Sequence, residues 1–158
     1  MVDPSLAMES FQEAFTSGVI HPKRCTLDRE LHVLLDNVMG ESRITYVRLE
    51  GQTVTAFVNF AENDPIDDIP CFGIGYAVPA KYQKQGRARD IVNAALAEMQ
   101  HGLAKHGIKT FYVEAIVEIN NKPSQRVAEQ VISNKPVATT DQHSGLPAFQ
   151  YVRKLRHP

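Results

Sequence analysis

The stretch CFGIGYAVPAKYQKQGRARDIVNAALAEM, residues 71–99, decides the fold of this chain. Its first eight residues, CFGIGYAV, are apolar or small and predict a strand that Pro79 closes. From Arg87 onward, apolar residues recur at intervals of three and four, which predicts a long amphipathic helix. The apolar stripe consists of Ala88, Ile91, Val92, Ala95, Leu96, Met99 and Leu103. The stretch therefore predicts a strand, a tight turn at Gly86 and a helix N-terminus in direct succession.

The turn before this helix has no acidic N-cap and carries Arg87 and Arg89 instead. Free backbone N–H groups and the helix dipole at such an N-terminus favour a bound anion, usually a phosphate. Both arginines suit a pyrophosphate, and Gly86 allows a close backbone approach because it has no Cβ. A structural turn with surface arginines explains the same residues, since short glycine motifs are common. On the turn alone, both interpretations stay open.

The other elements are predicted from periodicity, propensity and turn residues. Helices are expected between Asp3 and Gly18, over residues 26–38 with Gly40 at the end, and over residues 124–131. The segments RITYVRL and TVTAFVNF predict an antiparallel hairpin, AENDPIDDIP an acidic loop, KTFYVEAIV a central strand, and KPVATT with FQYVRKL a closing strand pair. The order predicts an α/β (α+β) fold with a single mixed, mostly antiparallel sheet and a central parallel β-α-β unit flanked by helices.

Composition limits the class of protein. The chain has 158 residues and a formal net charge of −1, which predicts one domain over residues 1–158 and gives no basic field for nucleic acid. No apolar run reaches the roughly 18 residues of a membrane span, and no signal peptide is predicted. Cys25 and Cys71 lack scaffold or metal spacing, so the cytoplasm is the expected compartment. The six histidines show no ligand spacing, so no metal is predicted.

Two motifs carry a resemblance to a known family. QKQGRA, residues 83–88, fits the pattern Q/R-x-x-G-x-G/A between a strand and an amphipathic helix, and resembles the acyl-CoA loop of the GNAT acetyltransferase superfamily. NNKPSQRVAEQ resembles the N-x-x-S-x-x-V-x-E segment of the ribosomal-protein N-acetyltransferase branch, through Asn121, Ser124, Val127 and Glu129. The resemblance covers about residues 40–155 in element order. It implies a GNAT-like fold and an N-acetyltransferase with acetyl-CoA as co-substrate.

The resemblance also implies a cofactor site. The residues it assigns are Tyr76, Ala77, Val78, Gln83, Lys84, Gln85, Gly86, Arg87, Ala88, Asn121 and Ser124. The strand ending in residues 76–78 would pair with the pantetheine amides, and the backbone N–H groups of residues 85–88 would hold the pyrophosphate. Asn121 would hydrogen-bond the pantetheine arm, with Ser124 beside it. The two central parallel strands would separate at one end, where Gly73 and Gly75 fit a bend.

The chain departs from the family at the general acid. Many members have a tyrosine directly after the position of Val127, where this chain has Ala128. Tyr76 and Tyr82 flank the loop, and either hydroxyl could replace the absent acid. Amphipathic packing of the rings, with the hydroxyl at the surface, is the simpler explanation of both tyrosines.

Glu114 is the predicted general base. A carboxylate in an otherwise apolar strand is expected to have a raised pKa unless it is paired, and such groups cluster at functional sites. A cross-strand ion pair is the alternative. With Tyr76 as acid and Ser124 beside the thioester arm, the predicted catalytic residues are Glu114, Tyr76 and Ser124.

Three function classes stay open. The first is an acetyltransferase in which a small-molecule or protein amine attacks acetyl-CoA directly in a ternary complex. The second, which Ala128 favours, is a non-catalytic acyl-CoA-binding or regulatory module on the same fold. The third is a nucleotide-binding protein of another fold, which would need several strand–helix–strand crossovers. The acidic residues near 62–68 either attract a cationic acceptor or are merely solvated. Homodimers are a family expectation, whereas nucleic acid and membrane are not expected partners.

Overall fold

The computed structural model describes residues 3–38 and 40–158, without the side chain of residue 38. Within these residues the helices are α1 (Pro4–Thr16), α2 (Arg87–Lys105) and α3 (Lys122–Val131), and a 3₁₀ turn spans Ala80–Tyr82. The strands are β1 (Lys23–Arg24), β2 (Leu31–Val38), β3 (Glu41–Glu50), β4 (Thr53–Ile66), β5 (Ile69–Ala77), β6 (Thr110–Glu118), β7 (Val137–Thr140) and β8 (Pro147–Arg156). No helix in these ranges combines the length and apolarity that crossing a membrane requires.

The described strands form one mixed sheet in the order β1-β2-β3-β4-β5-β6-β8-β7. Neighbouring strands are antiparallel except β5 and β6, which are parallel and are connected through α2. A parallel pair requires such a crossover, because its strands must start at the same end of the sheet. The predicted central β-α-β unit is therefore confirmed, as are the hairpin of β3 with β4 and the closing pair of β7 with β8.

Helices cover both faces of the sheet. α2 and α3 pack on one face through Ile91, Val92 and Val131, which join strand residues such as Phe111 in a buried cluster. α1 packs on the other face, where Met8 and Phe11 contact a smaller cluster around residues 47, 54 and 57. We call the two sides the helix-pair face and the α1 face. Successive residues of a strand point to opposite faces, so each strand contributes to both layers.

The predicted helix over residues 26–38 is wrong. Residues 31–38 form β2, which pairs with β3 from Leu31 opposite Arg48 onward. Leu31 and Val33 pack on the helix-pair face, whereas Leu34 packs with the α1 cluster. The apolar residues whose spacing indicated a helix therefore lie on both faces of a strand. Gly40, the predicted helix end, has a φ of +85° and directly precedes β3.

A buried carboxylate binds the segment that precedes β2. Glu98 of α2 is 7% exposed, and its carboxylate accepts hydrogen bonds of 2.9–3.1 Å from the backbone N–H groups of Thr26, Leu27 and Asp28. A buried charge requires such partners. The carboxylate of Glu98 thus holds residues 26–28 against α2, just before the chain enters β2. We call residues 26–28 with Glu98 the closed nest.

The segment AENDPIDDIP, predicted as a loop, lies mostly in strands. β4 continues to Ile66 and β5 begins at Ile69, which leaves a two-residue turn at Asp67 and Asp68. Their φ angles are +50° and +63°, the left-handed conformation of a tight hairpin turn in which Asp is tolerated. The register is irregular between Asn63 and Ile66, around a proline that has no N–H for the ladder.

Candidate functional site

β5 and β6 separate towards their carboxyl ends. Within residues 69–77 and 110–118, only Cys71–Gly73 pair with Tyr112–Glu114, although both strands continue for four more residues. The edge of β5 from residue 74 to 77 therefore presents backbone donors and acceptors to a gap rather than to a neighbouring strand. This divergence is the opening that the family resemblance implies, and it lies where β5 leads into the predicted loop.

The loop after β5 is held by its own side chains. Gln83 Nε2 donates a hydrogen bond of 2.9 Å to the carbonyl oxygen of Val78, which closes the base of the loop. Lys84 and Gly86 have φ angles of +61° and +73°, and Gln85 between them does not. When left-handed and right-handed backbone conformations alternate along a turn, successive N–H groups point to the same side and form an anion-binding concavity.

The backbone donors at the start of α2 are free. Gly86 is the N-cap residue, and no side chain caps the helix. The first N–H to bond back is that of Asp90, which donates to the Gly86 carbonyl at 3.0 Å. Over the described part of the chain, the N–H groups of residues 85–89 have no protein acceptor. Such donors, at the positive end of a helix dipole, attract an anion. We call residues 84–88 the open nest.

Arg87 borders the open nest and is held in place by neighbours. Its Nε donates to Gln85 Oε1 at 3.1 Å, its guanidinium lies 4.9 Å from the ring centroid of Tyr82, and its Nη2 is 3.5 Å from Glu50. Tyr82, one of two predicted acids, is therefore engaged in a cation–π contact. At Gly86, an added Cβ would meet only Arg89 Nη2, at an ordinary 3.7 Å, so the positive φ is what favours glycine here.

Tyr76 crosses the gap from β5 to α3. Its hydroxyl donates a hydrogen bond of 2.6 Å to the carbonyl oxygen of Ser124. Burial raises the pKa of Tyr76, and the neighbouring Tyr151 raises it further. Ala128, one turn after Ser124, is fully buried with 0% exposure. Tyr76 thus bonds to the turn of α3 that leads to Ala128.

Asn121 and Ser124 meet at the N-terminus of α3. Asn121 is the N-cap, and its Oδ1 accepts the N–H of Ser124 at 3.3 Å. This is the usual capping role of an N-cap asparagine, whose side chain accepts a hydrogen bond from a helix N–H that would otherwise be unpaired. The structure therefore brings Tyr76, Asn121 and Ser124 together at one end of the gap.

Glu114 lies on the opposite side of the sheet from Tyr76. Phe111, Val113 and Ala115 belong to the helix-pair core, so the half-buried Glu114 points to the α1 face. Its two oxygens accept hydrogen bonds from neutral amides, at 3.1 Å from Asn63 and at 2.6 Å from Gln150. The cross-strand partners of this carboxylate are thus amides rather than cations. Its β5 neighbour, Gly73, is the last paired residue before the gap.

The remaining titratable residues near the gap give no further site. Cys71 is 2% exposed, and burial, with the charge of Glu114, raises its pKa to about 11. The thiol thus stays protonated at neutral pH, which disfavours it as a nucleophile. The described residues contain no cluster of three metal-ligating side chains.

Sequence reasoning missed two buried polar residues, Glu98 and Asn59. Glu98 follows Ala95 by three residues on the apolar stripe of α2, which is a signal for a buried carboxylate. Asn59 lies between Val58 and Phe60 in the buried part of β4 and is 2% exposed. A polar residue at the centre of such a strand is a comparable signal, since buried polar groups require partners.

A family model described as "Acetyltransferase (GNAT) family" matches residues 7–132 of this chain. No curated protein matches the sequence at a significant level. Among solved structures, an acetyltransferase of the GNAT family from Streptococcus pneumoniae aligns with a TM-score of 0.55 and 12% identity, over 98% of this chain and 96% of that one.

Two further structures belong to ribosomal-protein acetyltransferases. The ribosomal-protein-S5-alanine acetyltransferase from Vibrio fischeri has a TM-score of 0.53 and 14% identity, over 72% of this chain and 61% of its own. The ribosomal L7/L12 alpha-N-protein acetyltransferase RimL has a TM-score of 0.51 and 19% identity, over 73% of this chain and 72% of its own. This chain thus spans less than two thirds of the Vibrio fischeri protein. Identities at this level establish a shared fold.

Proposed function

Because the chain belongs to the acetyltransferase (GNAT) family, we propose that it is an acetyl-CoA-dependent N-acetyltransferase that acts on a primary amine by direct attack in a ternary complex. The observation that carries this proposal is the open nest, whose backbone donors are free beside the gap between β5 and β6. The proposal treats residues 1–158 as one acyl-CoA N-acyltransferase domain that works in the cytoplasm. The acceptor is the amine of a small molecule or of a protein.

The residues around the gap fit the chemical parts of acetyl-CoA. The open nest offers unpaired N–H groups to a pyrophosphate, and Lys84, Arg87 and Arg89 add positive charge around it. The unpaired edge of β5 offers backbone groups to the pantetheine amides, in the way that a strand accepts another strand. Asn121 and Ser124 flank the far side of the gap.

Two side chains would move the protons of the reaction. Acetyl-CoA supplies the thioester carbonyl that the amine nitrogen attacks, with a C–N bond forming and the C–S bond breaking. Glu114 would take the proton that the amine releases, directly or through a water. Tyr76 would give its proton to the departing thiolate sulfur, and its raised pKa keeps that proton in place at neutral pH. Ser124 would position Tyr76 through its carbonyl group.

Replacement of Tyr76 by Phe tests this assignment. We expect kcat to fall roughly 100-fold, the lower end of what a general acid contributes, while the Kd for acetyl-CoA changes less than about threefold because the open nest is untouched. Tyr112→Phe, on a strand face away from α3, is the matched control and keeps full activity. Burial places the pKa of Tyr76 above the usual value of about 10, so kcat of the unmodified enzyme does not decline before about pH 10. Full activity of Tyr76→Phe would contradict the assignment.

One observation favours a second function, a non-catalytic acyl-CoA-binding or regulatory module. The hydroxyl of Tyr76 is already bonded to Ser124 across the gap, and position 128 is alanine. Isothermal titration with acetyl-CoA, run beside turnover with a panel of primary amines, separates the two functions. Tight binding without turnover supports the module, and turnover supports the enzyme.

A further inference from the structure

A buried amide near the gap lacks a hydrogen-bond partner. Asn59 lies in the middle of β4 and is 2% exposed, and its Oδ1 has no partner among the residues that the structure describes. Burial removes water from an amide oxygen without a compensating bond, which is unfavourable for folding. Such an atom in a native protein calls for an explanation, and a ligand that donates a hydrogen bond is one.

Asn59 lies one strand away from the gap. In the register of β4 with β5 it stands opposite Gly75, and Gly75 is two residues beyond Gly73, the last residue of β5 that pairs with β6. Opposed Cα atoms in antiparallel strands are about 5 Å apart. Asn59 is therefore a direct neighbour of the part of β5 whose other edge is open.

Asn59 and Glu114 share the α1 face of the sheet. Val58 and Phe60 belong to the helix-pair core, so Asn59 between them points to the opposite side, as Glu114 does. β5 separates the two residues, and its positions between them on this face are Gly73 and Gly75. Glycine has no side chain, so a floor of backbone, buried like Asn59 itself, extends from the unpaired amide oxygen to the carboxylate.

We propose that Asn59 Oδ1 binds the acceptor amine, over the glycine floor and opposite Glu114; this inference rests on the proposed function. A neutral primary amine has two N–H groups and one lone pair. Asn59 accepts one N–H and Glu114 the other, since a carboxylate has lone pairs beyond those used by Asn63 and Gln150. The lone pair of the amine is then directed at the gap, where the thioester carbonyl belongs. The pair of acceptors selects a primary amine over its N-methyl derivative, which has a single N–H.

The experiment compares Asn59→Leu, which is similar in size and apolar, with the unmodified chain. We expect KM for a primary amine to rise about tenfold, the effect of one lost hydrogen bond, while the Kd for acetyl-CoA stays within about threefold. The thermal midpoint stays level or rises by roughly 3 °C, because an unpaired buried oxygen is removed. Thr45→Val is the matched control: Thr45 is the β3 neighbour of Asn59 in the register and is 6% exposed, and its KM is expected to be unchanged.

A second measurement uses the kcat/KM ratio of a primary amine to its N-methyl derivative. The unmodified chain prefers the primary amine about tenfold or more, and the preference shrinks in Asn59→Leu. If Asn59→Leu keeps the KM and the ratio, the inference alone fails and Asn59 is a structural residue. If Asn59→Leu does not fold, equal kcat/KM values for the two amines in the unmodified chain overturn the inference. If the unmodified chain turns over no amine, the proposed function fails, and this inference with it.

Discussion

Two groups of backbone N–H donors in this molecule differ in what they bind. In the closed nest, the donors of residues 26–28 surround the carboxylate of Glu98, which α2 supplies from its fourth turn. In the open nest, the donors of residues 85–88 lie at the N-terminus of the same helix and have no acceptor in the described chain. Both groups have the geometry that favours an anion. The protein provides the anion at one of them and leaves it to a ligand at the other.

The comparison shows how one piece of backbone chemistry can serve folding or binding. A built-in carboxylate is always present, so its hydrogen bonds contribute to stability at any ligand concentration. Free donors remain solvated until an anion arrives, so they contribute only when it is bound. The difference lies in one residue at each place, namely a Glu that reaches the donors and a Gly that leaves them uncovered.

The largest effect is expected at the closed nest. Glu98→Ala leaves three backbone N–H groups without acceptors in a partly buried place, and we expect the free energy of unfolding to fall by about 4 kcal/mol. Glu98→Gln retains one amide oxygen as an acceptor, so we expect its free energy of unfolding to fall by about half as much. Urea unfolding of the three proteins measures both values. A loss below about 1 kcal/mol in Glu98→Ala would mean that water replaces the carboxylate, and the two nests would then be equivalent.

A smaller effect is expected when the open nest is given an anion of its own. Gly86→Asp and Gly86→Asn have side chains of nearly equal size and share the strain of the +73° φ angle. They differ in charge, so a carboxylate alone competes for the N–H groups and repels a diphosphate. We expect acetyl-CoA to bind Gly86→Asp roughly 100-fold more weakly than the unmodified chain and Gly86→Asn only severalfold more weakly. Isothermal titration measures both, and equal affinities of the two variants would remove the open nest from the cofactor site.

The smallest effect concerns the outer rim of the closed nest. Asp28 Oδ2 lies 2.8 Å from Arg48, and the hydrogen bond from Arg48 lowers the pKa of Asp28. A carboxyl whose pKa is lower in the folded chain stabilises it fully above the unfolded value of about 4 and loses this effect as the pH falls through the folded value. For such a partly exposed pair we expect Asp28→Asn to cost about 0.5 kcal/mol at pH 7 and progressively less as the pH falls below about 4. A pH series of unfolding measurements checks this, and a difference that does not shrink below that pH would exclude the ion pair as its cause.

Local signals in the sequence predicted most of the fold. The long helix, the parallel crossover and the hairpin are each determined by residues close in sequence, through periodicity, glycine and proline. Residues 26–38 and 61–70 are the exceptions. Residues 31–38 pair with β3, and residues 26–28 bind Glu98, which is 70–72 positions away in the sequence. A repeat of apolar residues cannot report a partner at that distance, and the tertiary contact overrides the local preference.

The site divides in the same way. The position of the loop follows from a glycine turn between a strand and a helix, and this pattern can be recognised in the sequence. The amide partners of Glu114 come from β4 and β8, and the contact of Tyr76 with Ser124 joins residues 48 positions apart. These pairings depend on strand register, which the sequence pattern does not specify across a mixed sheet.

The short ladder between β5 and β6 has a mechanical consequence. Three residue pairs connect these strands, whereas nine connect β6 with β8. The sheet thus consists of two halves, β1–β5 and β6–β8, joined by this short ladder. Deuterium uptake at the junction of β5 and β6 would exceed that of the flanking strands. A ligand bound in the gap would hold the two halves together and reduce their motion without contacting either hydrophobic core.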